Sequence, residues 1–211
     1  MTRRLAIAGA AAVLAMALAG CATPDKPTRA TLYDFGPGST APASAAATAQ
    51  PALVLADIES SGALDGSAVL YRLGYADANQ LRPYAHARWS APAPQLVRQR
   101  LRQQLARDRA VLDLGESAAL AREGGRAPRV LRMDLEEFSQ LFETQAQSWG
   151  LLRLRATLLD NTPAGEKLLA QRTFVVRQPA ISADAPGGVR ALAAATDAAG
   201  EQIAQWLAQQ R

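Results

Sequence analysis

Residues 149–178 read WGLLRLRATLLDNTPAGEKLLAQRTFVVRQ. In the first part, Leu152, Leu154, Ala156 and Leu158 alternate with Arg153, Arg155 and Thr157. Successive side chains of a strand point to opposite faces, so this period of two predicts a strand with one buried and one solvated face. NTPAGE supplies turn residues, and KLLAQRTFVVRQ returns as the antiparallel partner. A hairpin with one apolar face needs a second layer to cover it.

Two helical patterns supply that layer. In APAPQLVRQRLRQQLARDRA, residues 91–110, Pro92 and Pro94 suit a first turn, and Leu96, Val97, Leu101 and Leu105 form one apolar stripe. Near the end of the sequence, Leu192, Ala195, Ala199, Ile203 and Trp206 recur at spacings of three or four, which predicts a second amphipathic helix on the same sheet face. Arg98, Arg100, Arg102, Arg107 and Arg109 cover the rest of the first helix. They read as a solvated face, with a basic patch for acidic headgroups or nucleic acid as the alternative.

Shorter strand signals fill the remainder. ALVLADIE (52–59) suits a buried strand, and AVLYRLGYAD (68–77) places Val69, Tyr71, Leu73 and Tyr75 on one face. LRPYAHARW (81–89) pairs with it as a hairpin arm, with Pro83 favouring an edge position. VLDLG (111–115) reads as a short strand and SAALAREGGRA (117–127) as a short helix or loop. In PRVLRMDLEEFSQLFE (128–143), Leu131, Met133 and Leu135 share a face but Phe138 and Phe142 fall out of phase, which predicts a bulge near Glu136 and Glu137. The sum is a single α+β domain, a mainly antiparallel sheet with two main amphipathic helices packed on one face.

Upstream, MTRRLAIAGAAAVLAMALAG begins with Arg3 and Arg4 and continues as an uncharged apolar run. It reads as a signal peptide over residues 1–20, too short for a comfortable membrane span. Leu18, Ala19 and Gly20 lead into Cys21, the one cysteine of the chain, in the manner of a bacterial lipobox. There a lipid, palmitate being one acyl chain of the kind, is joined to the sulfur and the chain is cut before it. The mature protein then begins at Cys21 and is anchored to a membrane surface rather than spanning it. Residues 21–51, rich in Ala, Pro, Ser, Thr and Gly, read as the lipidated N-terminus and a flexible tether with a short strand at 31–35 in TLYDFG. The folded domain is expected over 52–211.

Charge and chemistry narrow the function. The formal charge of +4 falls to +2 without the leader, 21 Lys and Arg against 19 Asp and Glu. Arginine supplies all the basic residues but Lys26 and Lys167, a bias that reads as genome composition before phosphate recognition. His86 is the single histidine, so neither a His-based metal cluster nor a conventional triad can be assembled. Glu136 and Glu137 are strand neighbours facing opposite ways, and there is no phosphate loop, dinucleotide fingerprint or nucleophile elbow. Aromatic residues are too few, and too little interleaved with basic ones, for a stacking platform, which sets nucleic acid aside. The expectation is a non-enzymatic protein with no catalytic residues, metal or cofactor. Trp89 is weighed as a partner or subunit contact against an aromatic plug between hairpin and helix.

The order of a lipobox, TLYDFG, the strand with Tyr71 to Leu73, and Trp89 leading into LVRQRLRQQL resembles the ABC-type transport auxiliary lipoproteins. These include the lipoprotein of the paraquat-inducible Pqi system. The resemblance implies service to an ABC transporter of the mammalian-cell-entry (MCE) type, which moves phospholipid or other hydrophobic molecules between inner and outer membranes. It further implies an MCE-domain protein and the permease and ATPase complex as partners, a homo-oligomeric ring, and a periplasm-facing place. Ala22 after Cys21, in place of the Asp that in many enterobacteria retains lipoproteins at the inner membrane, favours the outer membrane by that analogy. Two other readings stay open: a lipid-binding periplasmic shuttle, and an outer-membrane assembly lipoprotein docking on a barrel protein.

Overall fold

The computed structural model describes residues 29–38, 50–113, 115, 127–162 and 164–210. The leader, the lipobox and SAALAREGGRA, save its Ala127, lie outside them. Eight strands form one mixed sheet: β1 (Thr31–Tyr33), β2 (Leu53–Ser60), β3 (Ala68–Leu73), β4 (Ala78–Trp89), β5 (Val111–Leu112), β6 (Arg129–Phe142), β7 (Ser148–Thr162) and β8 (Gly165–Pro179). The helices are α1 (Gly74–Asp77), α2 (Ala93–Leu105) and α3 (Ala185–Ala208).

Strands β6, β7 and β8 form an antiparallel meander, the longest pairing in the sheet. Leu152, Leu154, Ala156 and Leu158 are buried, as the alternation predicts, while Arg153 and Arg155 face outward. The predicted bulge is present. Leu135 pairs with Leu154 but Glu137 with Arg153, so Glu136 is the extra residue. That single insertion restores phase, placing Phe138 and Phe142 on the core face at 1 % and 7 % exposure.

The other edge of β6 is shared. Strand β2 runs parallel along its first half and β3 parallel along its last three residues, so two strands follow one another on a single edge. Strand β4 pairs antiparallel with β3, and β1 parallel with Ala87 to Trp89 of β4. Pro83 opposes Leu70 in β3, and β1 pairs only with Ala87 to Trp89, so Pro83 has no strand on its other side among the described residues. Tyr75 departs from the expected alternation: the strand ends at Leu73, and Tyr75 sits in the single turn α1 at 45 % exposure. Gly74 explains the stop, because a Cβ there would lie 2.9 Å from the Phe142 carbonyl oxygen.

Both main helices contribute to the same core cluster on one sheet face. Helix α3 is capped by the Asp184 carboxylate, which accepts from the Gly187 N–H at 2.8 Å. This bond, with that from Ser182, holds the Asp184 carboxyl below its ordinary range. The helix then passes so near β7 that a Cβ on Gly150 would lie 2.4 Å from the Ala191 carbonyl carbon. At the crossing of α2 and α3, a Cβ on Gly200 would coincide with the Gln104 side chain. Small residues are therefore required where the layers meet.

Gly150→Ala is expected to push α3 off the sheet and cost about 1–3 kcal/mol in denaturant unfolding. Gly62→Ala, with no atom within 4 Å of the new methyl, is the matched control and is expected to change stability by less than about 0.5 kcal/mol.

Candidate interaction sites

Leu18, Ala19, Gly20 and Cys21 precede the described residues. The described chain joins the sheet at Thr31, and Ser90 N–H donates to the Tyr33 carbonyl at 2.8 Å. Phe35 then enters the core, its ring edge-on to Trp89 with centroids 5.5 Å apart. Of the apolar residues in TLYDFG, Leu32 alone stays outside, at 69 % exposure.

Trp89 is 2 % exposed and packs in a triangle with Phe35 and Phe138, its centroid 5.7 Å from that of Phe138, which itself lies 6.0 Å from Phe35. This leaves a partner almost none of its surface to touch. Tyr84, on the same strand, anchors a polar chain: its hydroxyl donates to Gln140 Oε1 at 2.7 Å, and Gln140 Nε2 donates to Ser148 Oγ at 2.8 Å. Burial pushes the Tyr84 hydroxyl well above the usual phenol range. The chain satisfies polar groups beneath the N-terminus of α3, where a Cβ on Gly188 would strike Gln140.

The arginines of α2 are not a cationic patch. Arg100 makes a two-pronged bond to Asp197 on α3, at 2.6 and 2.8 Å, which raises its own pKa. Arg98 donates to the carbonyls of Leu55 and Ala56 and to Asp113; Arg102 reaches the same Asp113. These two bonds hold the Asp113 carboxyl below its ordinary value. The basic side chains thus tie α2 to β2, α3 and the segment after β5. On the helix-free face, Arg132, Arg153, Arg155 and Arg177 pair with Glu166, Glu136, Asp134 and Glu143, exposed pairs worth less than about 1 kcal/mol each.

Two features escape the sequence patterns. The first is a cavity of about 590 Å³ at the end of the sheet where β2 and β6 begin, walled by Leu53, Leu158 and Leu207 with Arg109, Arg129 and Asp160. Arg109 is 5 % exposed; its Nε donates to Asp108, while its buried Nη2 has no partner. Arg129 donates to the Gln210 carbonyl, and Asp160, 8 % exposed, is itself engaged. Segments far apart in sequence build these walls, so no local motif marks them. The second is the outer edge of β8, which has no strand partner among the described residues. It carries Leu168 and Val175 at 59 % and 58 % exposure beside Lys167, Arg172 and Arg177.

Among the described residues the candidate catalytic groups stay apart. His86 is exposed on β4, Glu136 and Glu137 are taken up by different arginines, and among the described residues no three His, Cys, Asp or Glu side chains converge.

The model of the ABC-type transport auxiliary lipoprotein component matches residues 33–204, from β1 to within the last turns of α3. The chain belongs to this family. Solved structures of the same fold include a Xanthomonas campestris protein of family DUF330, 19 % identical, with a TM-score of 0.65 over 84 % of this chain and 94 % of that one. A hypothetical protein from Chlamydia trachomatis is 10 % identical, with a TM-score of 0.50 over 75 % and 96 % of the two chains. No curated protein sequence matches. An auxiliary lipoprotein is a component associated with a transporter, and membership points to a lipid-anchored place in the cell envelope. No helix of the described residues of this auxiliary lipoprotein is long and apolar enough to cross a membrane.

The half-satisfied Arg109 gives a stability test. A buried guanidinium with an unpaired Nη2 is poorly compensated, and Asp108 at 43 % exposure can be solvated without it. Arg109→Met is expected to leave stability unchanged or raise it by about 1 kcal/mol in thermal unfolding. A loss of more than about 2 kcal/mol would make the guanidinium a structural element.

Proposed function

We propose that this auxiliary lipoprotein is a non-enzymatic scaffold of an MCE-type ABC transporter that moves phospholipid or other hydrophobic molecules between inner and outer membranes. Its lipid on Cys21 holds it facing the periplasm, at the outer membrane rather than the inner, and its folded domain grips the MCE-domain protein, as a homo-oligomeric ring. The observation that carries this reading is the family match across nearly the whole folded domain. A fold whose ion pairs tie its own elements together, and which gathers no reactive cluster among the described residues, suits a part that positions other proteins. The free edge of β8 offers backbone donors and acceptors to a neighbouring strand, with exposed leucine and valine beside them.

A tagged protein extracted from membranes in detergent after mild crosslinking is expected to bring down an MCE protein with its permease and ATPase. Cys21→Ala is expected to lose the membrane fraction, and deletion of the gene to weaken the outer-membrane barrier. Recovery of the lipidated protein alone would overturn the reading. The cavity favours a second one, a periplasmic shuttle, because about 590 Å³ lies in the usual range for a small-ligand site. Co-purifying lipid in native mass spectra, lost on Leu158→Trp, would support the shuttle over the scaffold.

A further inference from the structure

We infer that the end of the sheet carrying α1 and the loop 180–184 lies against the bilayer in which the protein is anchored, and that the cavity end points away from it. The inference rests on the lipid anchor at Cys21 and goes beyond it by fixing orientation.

Chain length sets the first constraint. Because β1 is paired from Thr31, only residues 22–30 separate the anchored cysteine from the sheet. Ten Cα steps reach about 35 Å when fully extended. A domain of this size has a radius of gyration of about 15 Å, hence a diameter near 40 Å and a half-perimeter near 60 Å. Thr31 stands about level with Phe138, roughly nine residues or ~30 Å from Arg129 at the far end. Bringing that end to the membrane would need the chain before Thr31 reversed and almost fully extended.

Strand direction decides which end is near. Strand β1 is parallel to β4, with Thr31 beside Ala87 and Tyr33 beside Trp89, so β1 is entered from the side on which β4 starts at Ala78. There the strand ends Leu73, Phe142 and Pro179 gather, Leu73 paired with Phe142, Phe142 with Ser148, and Trp149 with Pro179. The opposite end holds Arg129, the hairpin at Thr162 and Gly165, and the cavity.

The surface at the near end suits headgroups. Ile181 is 78 % exposed in the loop before α3, and Tyr75 is 45 % exposed on α1. An aromatic ring with a polar tip sits well at the boundary between acyl chains and water, and an unpaired isoleucine can enter it. Arg82 and Arg29 are exposed on the tether side, the Arg82 guanidinium bonded to Gln80 and to no carboxylate. Of the acidic groups at this end, Glu143 is paired with Arg177, while the Asp77 and Asp184 carboxylates accept from backbone N–H groups.

The test uses the mature lipoprotein purified from membranes and reconstituted into phosphatidylethanolamine and phosphatidylglycerol vesicles containing nitroxide-headgroup lipid. Cys21 is blocked by its lipid, so one fluorophore can be placed by Ile181→Cys or by Lys167→Cys, both exposed positions at opposite ends. Loss of most of the emission at position 181 with little loss at 167 is the expected result. Equal loss at both, or greater loss at 167, overturns the orientation while intact mass showing lipid on Cys21 leaves the anchor standing. An intact mass without lipid overturns the anchor, and the orientation with it.

Discussion

The rings of Phe35, Trp89 and Phe138 meet with centroids 5.5 to 6.0 Å apart, and much of the molecule is arranged around that contact. Each ring comes from a different stretch of chain: the segment after β1, the end of β4 and the bulged middle of β6. Trp89 also stands at the end of β4, just before Pro92 and Pro94 open α2. Burying three aromatics together removes a large apolar area from water. A three-residue strand could not hold itself to a sheet edge without such an anchor.

That contact makes the segment from Thr31 to Phe35 part of the packed domain. The apolar bulk of TLYDFG lets a short strand be read within residues 21–51, but nothing local says what Phe35 packs against. The long-range contact places Phe35 against Trp89 and Phe138, and the next described strand, β2, starts at Leu53.

Legibility follows the range of the interactions. The alternation from Leu152 to Leu158 and the stripe from Leu192 to Trp206 are local periodicities, and both could be read directly. So could the bulge, because Phe138 and Phe142 sit out of phase with Leu135 unless one residue is inserted. Tyr75 continued the alternation numerically but not physically, since Gly74 already packs against the Phe142 backbone and the chain must turn. The parallel seating of β2 and β3 on one edge of β6, the pairing of Arg100 with Asp197, and the cavity around Arg109 join residues tens of positions apart and leave no periodic trace. Composition likewise could not say that the α2 arginines would be spent inside the fold rather than offered to a partner.

The account stands or falls on β1 being part of the folded domain and not of the tether. Hydrogen exchange on the intact lipoprotein measures this directly, at the Ser90 amide that donates to Tyr33 and at the amides of residues 31–36. Protection at Ser90 and in β1 close to that of β6 and β7, lost at these sites on Phe35→Ala while β6 and β7 keep theirs, is the expected result. Rapid exchange throughout residues 31–36, with the central strands still protected, would contradict it.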